Sequence, residues 1–336
     1  MGSDAQRVFS FAQVEAIRLR YPQEGGTKLA HEFGKTLGQI IHKAQKMGLR
    51  STNWRQHQGA ANKITNDTAR MDFFDSWTHE MAYVLGYIWA DGCIQANRSG
   101  KVYALRFLCT ESDTQLLRDV ASALGYAGPL RTVESHVWVA KHGRNPGRTY
   151  ASKPTVQFSI NSRHLAETLV HKHGLAPRKS SLNLPFPNVP EQYLSSFARG
   201  NFDGDGCVTH RIRKRKNGAP SHTGCVYWLG TPLWVIGLAE RVAKIGLSKP
   251  SYEPQGDNLL RASWHNKSDI MTIREWLYAS ATLWLSRKRN AFDTLALSLE
   301  ATKPHRRRRR SGTYGQAFVA EVLQRSGSTT TESGSR

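Results

Sequence analysis

The chain has 336 residues, with 47 Lys+Arg against 26 Asp+Glu and a formal charge of +21. That is enough length for two or three cored domains, and an excess of basic charge that favours a polyanionic partner, of which nucleic acid is the commonest. The longest apolar run, MAYVLGYIWA, falls far short of a membrane span, and no charged-then-apolar leader is read at the start, so an intracellular protein without a membrane partner is expected. Four cysteines (Cys93, Cys109, Cys207, Cys225) without C-x-x-C spacing argue against a zinc site or a disulfide framework.

Residues 1–50 read as a small all-α unit. FSFAQVEAIRLRY carries Phe11, Val14, Ile17 and Leu19 at roughly helical spacing. GTKLAHEFGKTLGQIIHKAQKMGLR reads as two short helices broken at Gly34. Leu29, Ala30 and Phe33 face inward from the first, and Ile40, Ile41, Ala44 and Met47 from the second; Gly48 is placed to end the last helix. A tight turn before a basic second helix predicts a helix-turn-helix-like DNA-binding unit. Residues 51–70, rich in Asn, Gln, Thr and Gly, read as a linker.

From residue 71 the chain repeats itself. After Asp91 come strand-like CIQANR and VYALRFLC, then a helix DTQLLRDVASALGY with Ser112 and Gln115 spaced for a capping box. Strand-like PLRTVES, VWVAK and TVQFSI and a helix SRHLAETLVHKHGL follow. After Asp205 the order recurs: CVTHRIRK, GCVYWLG, the helix TPLWVIGLAERVAKIG with Thr231 as N-cap and Pro232 at its first position, SYEP, LLRASW and DIMTIREWLYA. The expected fold is therefore α+β, with two pseudo-symmetric α-β-β-α-β-β-α half-domains at 71–185 and 186–303. The segment 304–336 begins with an arginine run, ends in SGSTTTESGSR, and reads as a basic, disordered tail.

Two stretches head these halves, VLGYIWADGCI and ARGNFDGDGCV. Read as helix ends, they place Gly86 with Ala90 and Gly200 with Gly204 on one face each. Glycine inside a helix costs about 1 kcal/mol against alanine, so its presence asks for a reason, and close approach of two helices supplies one. Gly92 and Gly206 are expected to end the two helices as C′ residues. The pairing would set Asp91 beside Asp205, where two carboxylates meet the negative ends of two helix dipoles. A hard divalent cation, Mg²⁺ with Mn²⁺ as substitute, resolves that repulsion with help from phosphate oxygens.

At these residues the chain resembles the single-chain LAGLIDADG homing endonucleases, over residues 75–300 and in the order of strands and helices. The resemblance implies that the last acid of each motif, Asp91 and Asp205, binds the catalytic metal. Trp89 and Asp203 share a motif position but differ in character. It also implies a basic residue near the end of each half: APRKS and LSRKR supply Lys179 and Lys288, which lie 88 and 83 residues after their acids. The family often has a polar residue near the end of the second strand to position water; Leu108 and Tyr227 align there, leaving that role unassigned. The implied activity is metal-dependent hydrolysis of double-stranded DNA at a long site by a monomer with internal pseudo-two-fold symmetry. A DNA-binding regulator that has lost cleavage is the main alternative, and an intron RNA maturase a lesser one.

For the duplex, HRIRKRKNG alternates His210, Ile212 and Lys214 with Arg211, Arg213 and Arg215 before a turn at Asn217-Gly218, and AKHGRNPGR offers Arg144 and Arg148. These arginines are the candidate DNA contacts.

Overall fold

In the computed structural model the chain falls into two compact units, 1–68 and 69–336. The structure describes residues 9–51, 68–140, 147–214, 218, 220–256, 258–300 and 313–325. Most of the 51–70 linker reading, with Arg144, Arg215, Asn217 and the arginine run, lies outside them.

The first unit is helical: α1 (Phe11–Glu24), α2 (Gly26–Glu32) and α3 (Leu37–Lys46). Ser10 and Gln13 form a capping box on α1, and Thr36 and Gln39 form one on α3, each satisfying otherwise orphaned N–H groups. Gly34 takes φ +61° between α2 and α3, a left-handed turn that costs glycine nothing. Ile17, Tyr21, Leu29, Ala30, Ile40 and Ala44 make the core. Of the apolar residues at roughly helical spacing in α1, Phe11 and Leu19 are exposed. The face of α1 is set by Ile17 and Tyr21, four apart, and the other two point away from that line.

The second unit opens with α4 (His79–Ala90), whose residues Met81 to Trp89 are all buried; a helix apolar all round belongs in a core. The Thr78 hydroxyl accepts from Met81 N at 3.0 Å to start it. Then come β1 (Cys93–Ala96), β2 (Val102–Thr110), a 3-10 turn at Glu111–Asp113, α5 (Thr114–Ala123), β3 (Arg131–Val133), β4 (Val137–Val139), β5 (Thr149–Ala151), β6 (Thr155–Ile160) and α6 (Arg163–His171). The second half repeats the plan with α7 (Leu194–Asp205), β7 (Gly206–Lys214), β8 (Pro220–Gly230), α8 (Pro232–Ala243), β9 (Ser251–Pro254), β10 (Leu260–Trp264), α9 (Lys267–Tyr278) and α10 (Ser286–Glu300).

Both four-stranded sheets are antiparallel, in the orders β1-β2-β6-β3 and β7-β8-β10-β9. The last strand of each sheet in chain order, β6 or β10, thus inserts between the second and third, which is the pseudo-symmetry in topological form. One departure is the pair β4–β5, which continues β3 and β6 outward as a long bent hairpin in the first half. One face of each sheet is buried, through Leu105, Phe107, Val156 and Phe158 in the first and Val226, Trp228 and Ala262 in the second. The other face is open, as half-buried antiparallel sheets allow.

Three local expectations are corrected. Ser112 and Gln115 do not form a capping box: α5 starts at Thr114 after the 3-10 turn, and the Gln115 amide donates to Asp119. Gly92 and Gly206 are not left-handed. Glycine is required there because a Cβ would lie 2.6 Å from Ile88 Cα and 2.1 Å from the Phe202 ring. The third correction concerns the tail from 304, which is not unfolded throughout. TYGQAFVAEVLQR forms α11 (Thr313–Arg325) and lays Phe318, Val319, Val322 and Leu323 on the core beside α8 and β9.

Candidate active site

The site is built on the pair α4–α7. A Cβ on Gly86 would sit 2.0 Å from Phe197 O, and one on Gly200 would sit 1.9 Å from Tyr83 O. The two backbones touch reciprocally, leaving no room for a side chain at either glycine. At the lower end a Cβ on Gly204 would meet Ala90 Cβ at 2.2 Å and Asp91 Oδ2 at 3.1 Å. The small residues at 86, 90, 200 and 204 therefore let Asp91, the C-cap of α4, and Asp205, the last residue of α7, come to the same edge.

Both carboxylates reach solvent at that edge, yet the protein packed behind them still penalises their charge. Burial pushes the Asp91 carboxyl up, against the pull of Lys288, Lys179 and Arg287. Asp205 is pushed up to about 6, first by burial and then by repulsion from Asp91.

The two lysines converge on the same edge from opposite halves. Lys179, in a 3-10 turn at Lys179–Ser181, donates from Nζ to Ala90 O at 2.9 Å and Gly92 O at 2.7 Å. Lys288, in the first turn of α10, donates to Phe202 O at 2.6 Å and Gly204 O at 2.8 Å. Each ammonium thus binds carbonyls at the end of a motif helix, where the intrahelical donors run out; Phe202 O is shared with the Gly206 N–H. An ammonium has three donors, so one remains on each for an incoming anion. Burial lowers the Lys179 pKa, opposed by Asp205 and Asp91, and lowers Lys288 to about 8.

The site also contains residues that the sequence reading left without a role. Asp203 is fully buried; its Oδ2 accepts from Tyr83 Oη at 2.6 Å and from Leu285 N at 2.7 Å. Burial raises its pKa to about 6. Arg199, 1% exposed, donates to Leu283 O at 2.8 Å and Leu277 O at 2.7 Å. Arg287 makes a two-pronged pair with Asp113 of the other half, at 2.9–3.1 Å. That pair takes the carboxylate that would have capped α5. An Arg and an Asp inside a core-facing helix were the available signals, since charged residues are almost never fully buried without partners.

The ladders also revise one alignment. Cys93, two residues after Asp91, pairs with Arg106, whereas Cys207, two after Asp205, pairs with Tyr227. Arg106 therefore corresponds to Tyr227, and Leu108 to Leu229. Beside them on the open faces, Arg106 donates to Gln157 and Arg261 lies over the Tyr227 ring at 5.2 Å.

Arg211 and Arg213 are exposed and alternate with the strand positions that face the core through Val208, so they stand on the open sheet face with Thr223 and Ser221 opposite. Arg148 caps the end of the bent hairpin, its guanidinium 5.6 Å from the Tyr150 ring centre. Among the described residues no group of three or more His, Cys, Asp or Glu is placed to hold a metal, and no helix is long and apolar enough to cross a membrane.

No family model matches the chain, and no curated protein matches it in sequence. Among solved structures, it is similar to I-SmaMI bound to uncleaved DNA in the presence of calcium ions (13% identity, TM-score 0.44, 76% of this chain and 100% of that one). It is similar also to the LAGLIDADG meganuclease I-AabMI bound to uncleaved DNA (12%, 0.42, 72% and 97%). A third is the LAGLIDADG homing endonuclease I-GzeII in complex with its DNA target (10%, 0.42, 77% and 100%).

Proposed function

We propose that this chain is a site-specific double-stranded DNA endonuclease of the LAGLIDADG type, acting as a monomer with Mg²⁺ or Mn²⁺. The observation that carries the reading is the meeting of Asp91 and Asp205 at one solvent-facing edge, with a lysine from each half fixed beside them. A fold gains no stability from setting two like charges against two negative helix ends, and strained ionisation of this kind marks functional sites.

The donor set fits a hard divalent cation. Mg²⁺ takes one or two carboxylates and completes its shell with water and phosphate oxygens, and Asp91 and Asp205 are the residues that would hold it. When bound it would polarise a phosphoryl oxygen and lower the pKa of attacking water. The chain's own residues supply the rest. Lys179 and Lys288 each direct one free N–H at the charge that builds on the non-bridging oxygens as the phosphorus is attacked. Their carbonyl bonds hold both ammonium groups at the edge where Asp91 and Asp205 meet.

The open sheet faces, with Arg211, Arg213 and Arg148, form the floor for the duplex, since a major groove admits a two-stranded ribbon. The first unit adds an outlying contact. The exposed His42 and Lys46 of α3 stand where a second helix of a helix-turn-helix meets the groove.

The test is incubation with a randomised duplex library and Mg²⁺, followed by sequencing of cut ends. A recurrent site, lost with EDTA and lost in Asp91→Asn and Asp205→Asn while DNA binding persists, supports the reading. Tight, specific binding without cutting in Mg²⁺ or Mn²⁺ overturns it and leaves a DNA-binding regulator.

A further inference from the structure

Lys179 and Lys288 match in position but not in how they are held. Asp203, 1% exposed, accepts from the backbone N–H of Leu285 at 2.7 Å, directly before α10 begins. Leu285 O in turn accepts from Lys288 N at 3.0 Å and Arg289 N at 3.1 Å, closing the first turn of that helix. The Lys288 side chain returns to Phe202 O and Gly204 O, the carbonyls on either side of Asp203. The end of α7 and the start of α10 are thus stapled together, with a carboxylate at a helix N-terminus where the dipole favours it. Arg287 adds the two-pronged bond to Asp113.

Among the described residues the first half has no equivalent. Trp89 occupies the position of Asp203, and its indole N–H is buried without a partner. Lys179 stands in a short 3-10 turn entered through Arg178 at φ +59°, a left-handed conformation that costs a non-glycine residue about 1–2 kcal/mol. Arg178 is exposed and, unlike Arg287, makes no ion pair among the described residues. Lys179 also grips carbonyls two positions further along its motif, Ala90 and Gly92 against Phe202 and Gly204.

We infer that Asp203 is a positioning residue for Lys288 and that its absence from the first half makes the two strand cuts unequal, the strand served by Lys288 being cut first. This rests on the nuclease reading above. Asp203 acts by fixing the start of α10, so that the Lys288 ammonium is in place before the phosphate arrives, whereas the turn carrying Lys179 must settle on DNA. Preorganisation of a donor is what lowers a barrier, because no reorganisation remains at the moment of reaction.

Two measurements test it on the full chain. In the first, surface lysines of wild type and Asp203→Asn are methylated and read by mass spectrometry, which needs no cleavage. Lys288 should be protected in wild type and modified roughly 10-fold faster in the variant, with Lys179 unchanged. Unchanged protection of Lys288 overturns the inference even if the protein proves not to be a nuclease. In the second, a specific duplex labelled on either strand is cut under single-turnover conditions. Asp203→Asn should slow one strand by about 10–100-fold and the other by less than about twofold, with nicked DNA accumulating. Adding Lys288→Ala should cost nothing further on the slowed strand, as expected of two residues acting as a unit. Equal slowing of both strands, or additive losses, would show a merely structural role. Asp203→Glu, which keeps the charge, should recover part of the strand-specific rate; no recovery counts against the inference.

Discussion

Asp205 and Lys288 are both held in the charged state least favoured by their surroundings. In the metal-free protein, Asp205 titrates near 6 against about 3.9 in an unfolded chain. Between those values the folded state holds more protons, so its stability falls as pH rises from about 4 to 6. Lys288 titrates near 8 against about 10.4. There the unfolded chain holds more protons, and stability rises from about pH 8 to 10. Across the window between 6 and 8 both charges destabilise the fold. Asp205→Asn should therefore melt higher than wild type at pH 7.5 without metal, by about 2 °C once solvent screening of this exposed group is allowed for. The gap should close as pH falls through about 4 toward 3, where the wild-type carboxyl becomes neutral in both states. Calorimetry across pH measures this; a variant less stable than wild type at pH 7.5 would show that Asp205 makes a stabilising contact.

At the scale of elements, the contact of α4 with α7 sets the whole site, and it is backbone against backbone. Gly86→Ala or Gly200→Ala would drive a methyl to within about 2 Å of a carbonyl oxygen, which neither helix can yield without separating. Overpacking of this kind costs about 3 kcal/mol or more, and a fall in Tm of roughly 10 °C is expected for each. Gly218→Ala, at φ +79° in open space, should cost only about 1 kcal/mol. If all three variants melt alike, the close approach is not what requires Gly86 and Gly200.

This contact was legible in the sequence because it depends on spacing within one helix. The order of strands was legible too, since alternation and turn residues lie close together along the chain. What could not be read depended on distant partners. Asp113 gives its carboxylate to Arg287, 174 positions away, and no local pattern announces that competition. The register of Leu108 against Leu229 is set by ladders whose hairpins differ in length between halves. For α11 the signal was present: Phe318, Val319, Val322 and Leu323 recur at helical spacing, though they lie between an arginine run and a polar end. Removing 313–325 should uncover the side of α8 and β9 on which they lie, and lower the Tm of the second unit.

Considered as a whole molecule, the chain joins one single-copy unit to a pseudo-symmetric body, and that asymmetry is testable on DNA. Asp91, Asp205, both lysines and the open sheet faces all belong to the unit 69–336, which has its own continuous core. The three-helix unit has a separate core and contributes none of the proposed chemistry. Deleting residues 1–68 should leave a folded protein that still cuts the specific site. Its affinity should fall, because linking two DNA-binding modules raises overall binding by roughly 10²–10⁴. The salt dependence of binding should become shallower, by about 0.9 in log–log slope for each phosphate that the shortened protein no longer neutralises. The footprint should shorten at one end only, since the unit occurs once and the body's own contacts are nearly two-fold. Footprinting of full-length and truncated protein on the same end-labelled target decides it. Protection of the same length of DNA by both, with an unchanged salt slope, would mean that α1 to α3 do not touch the duplex and that the unit serves a protein partner instead.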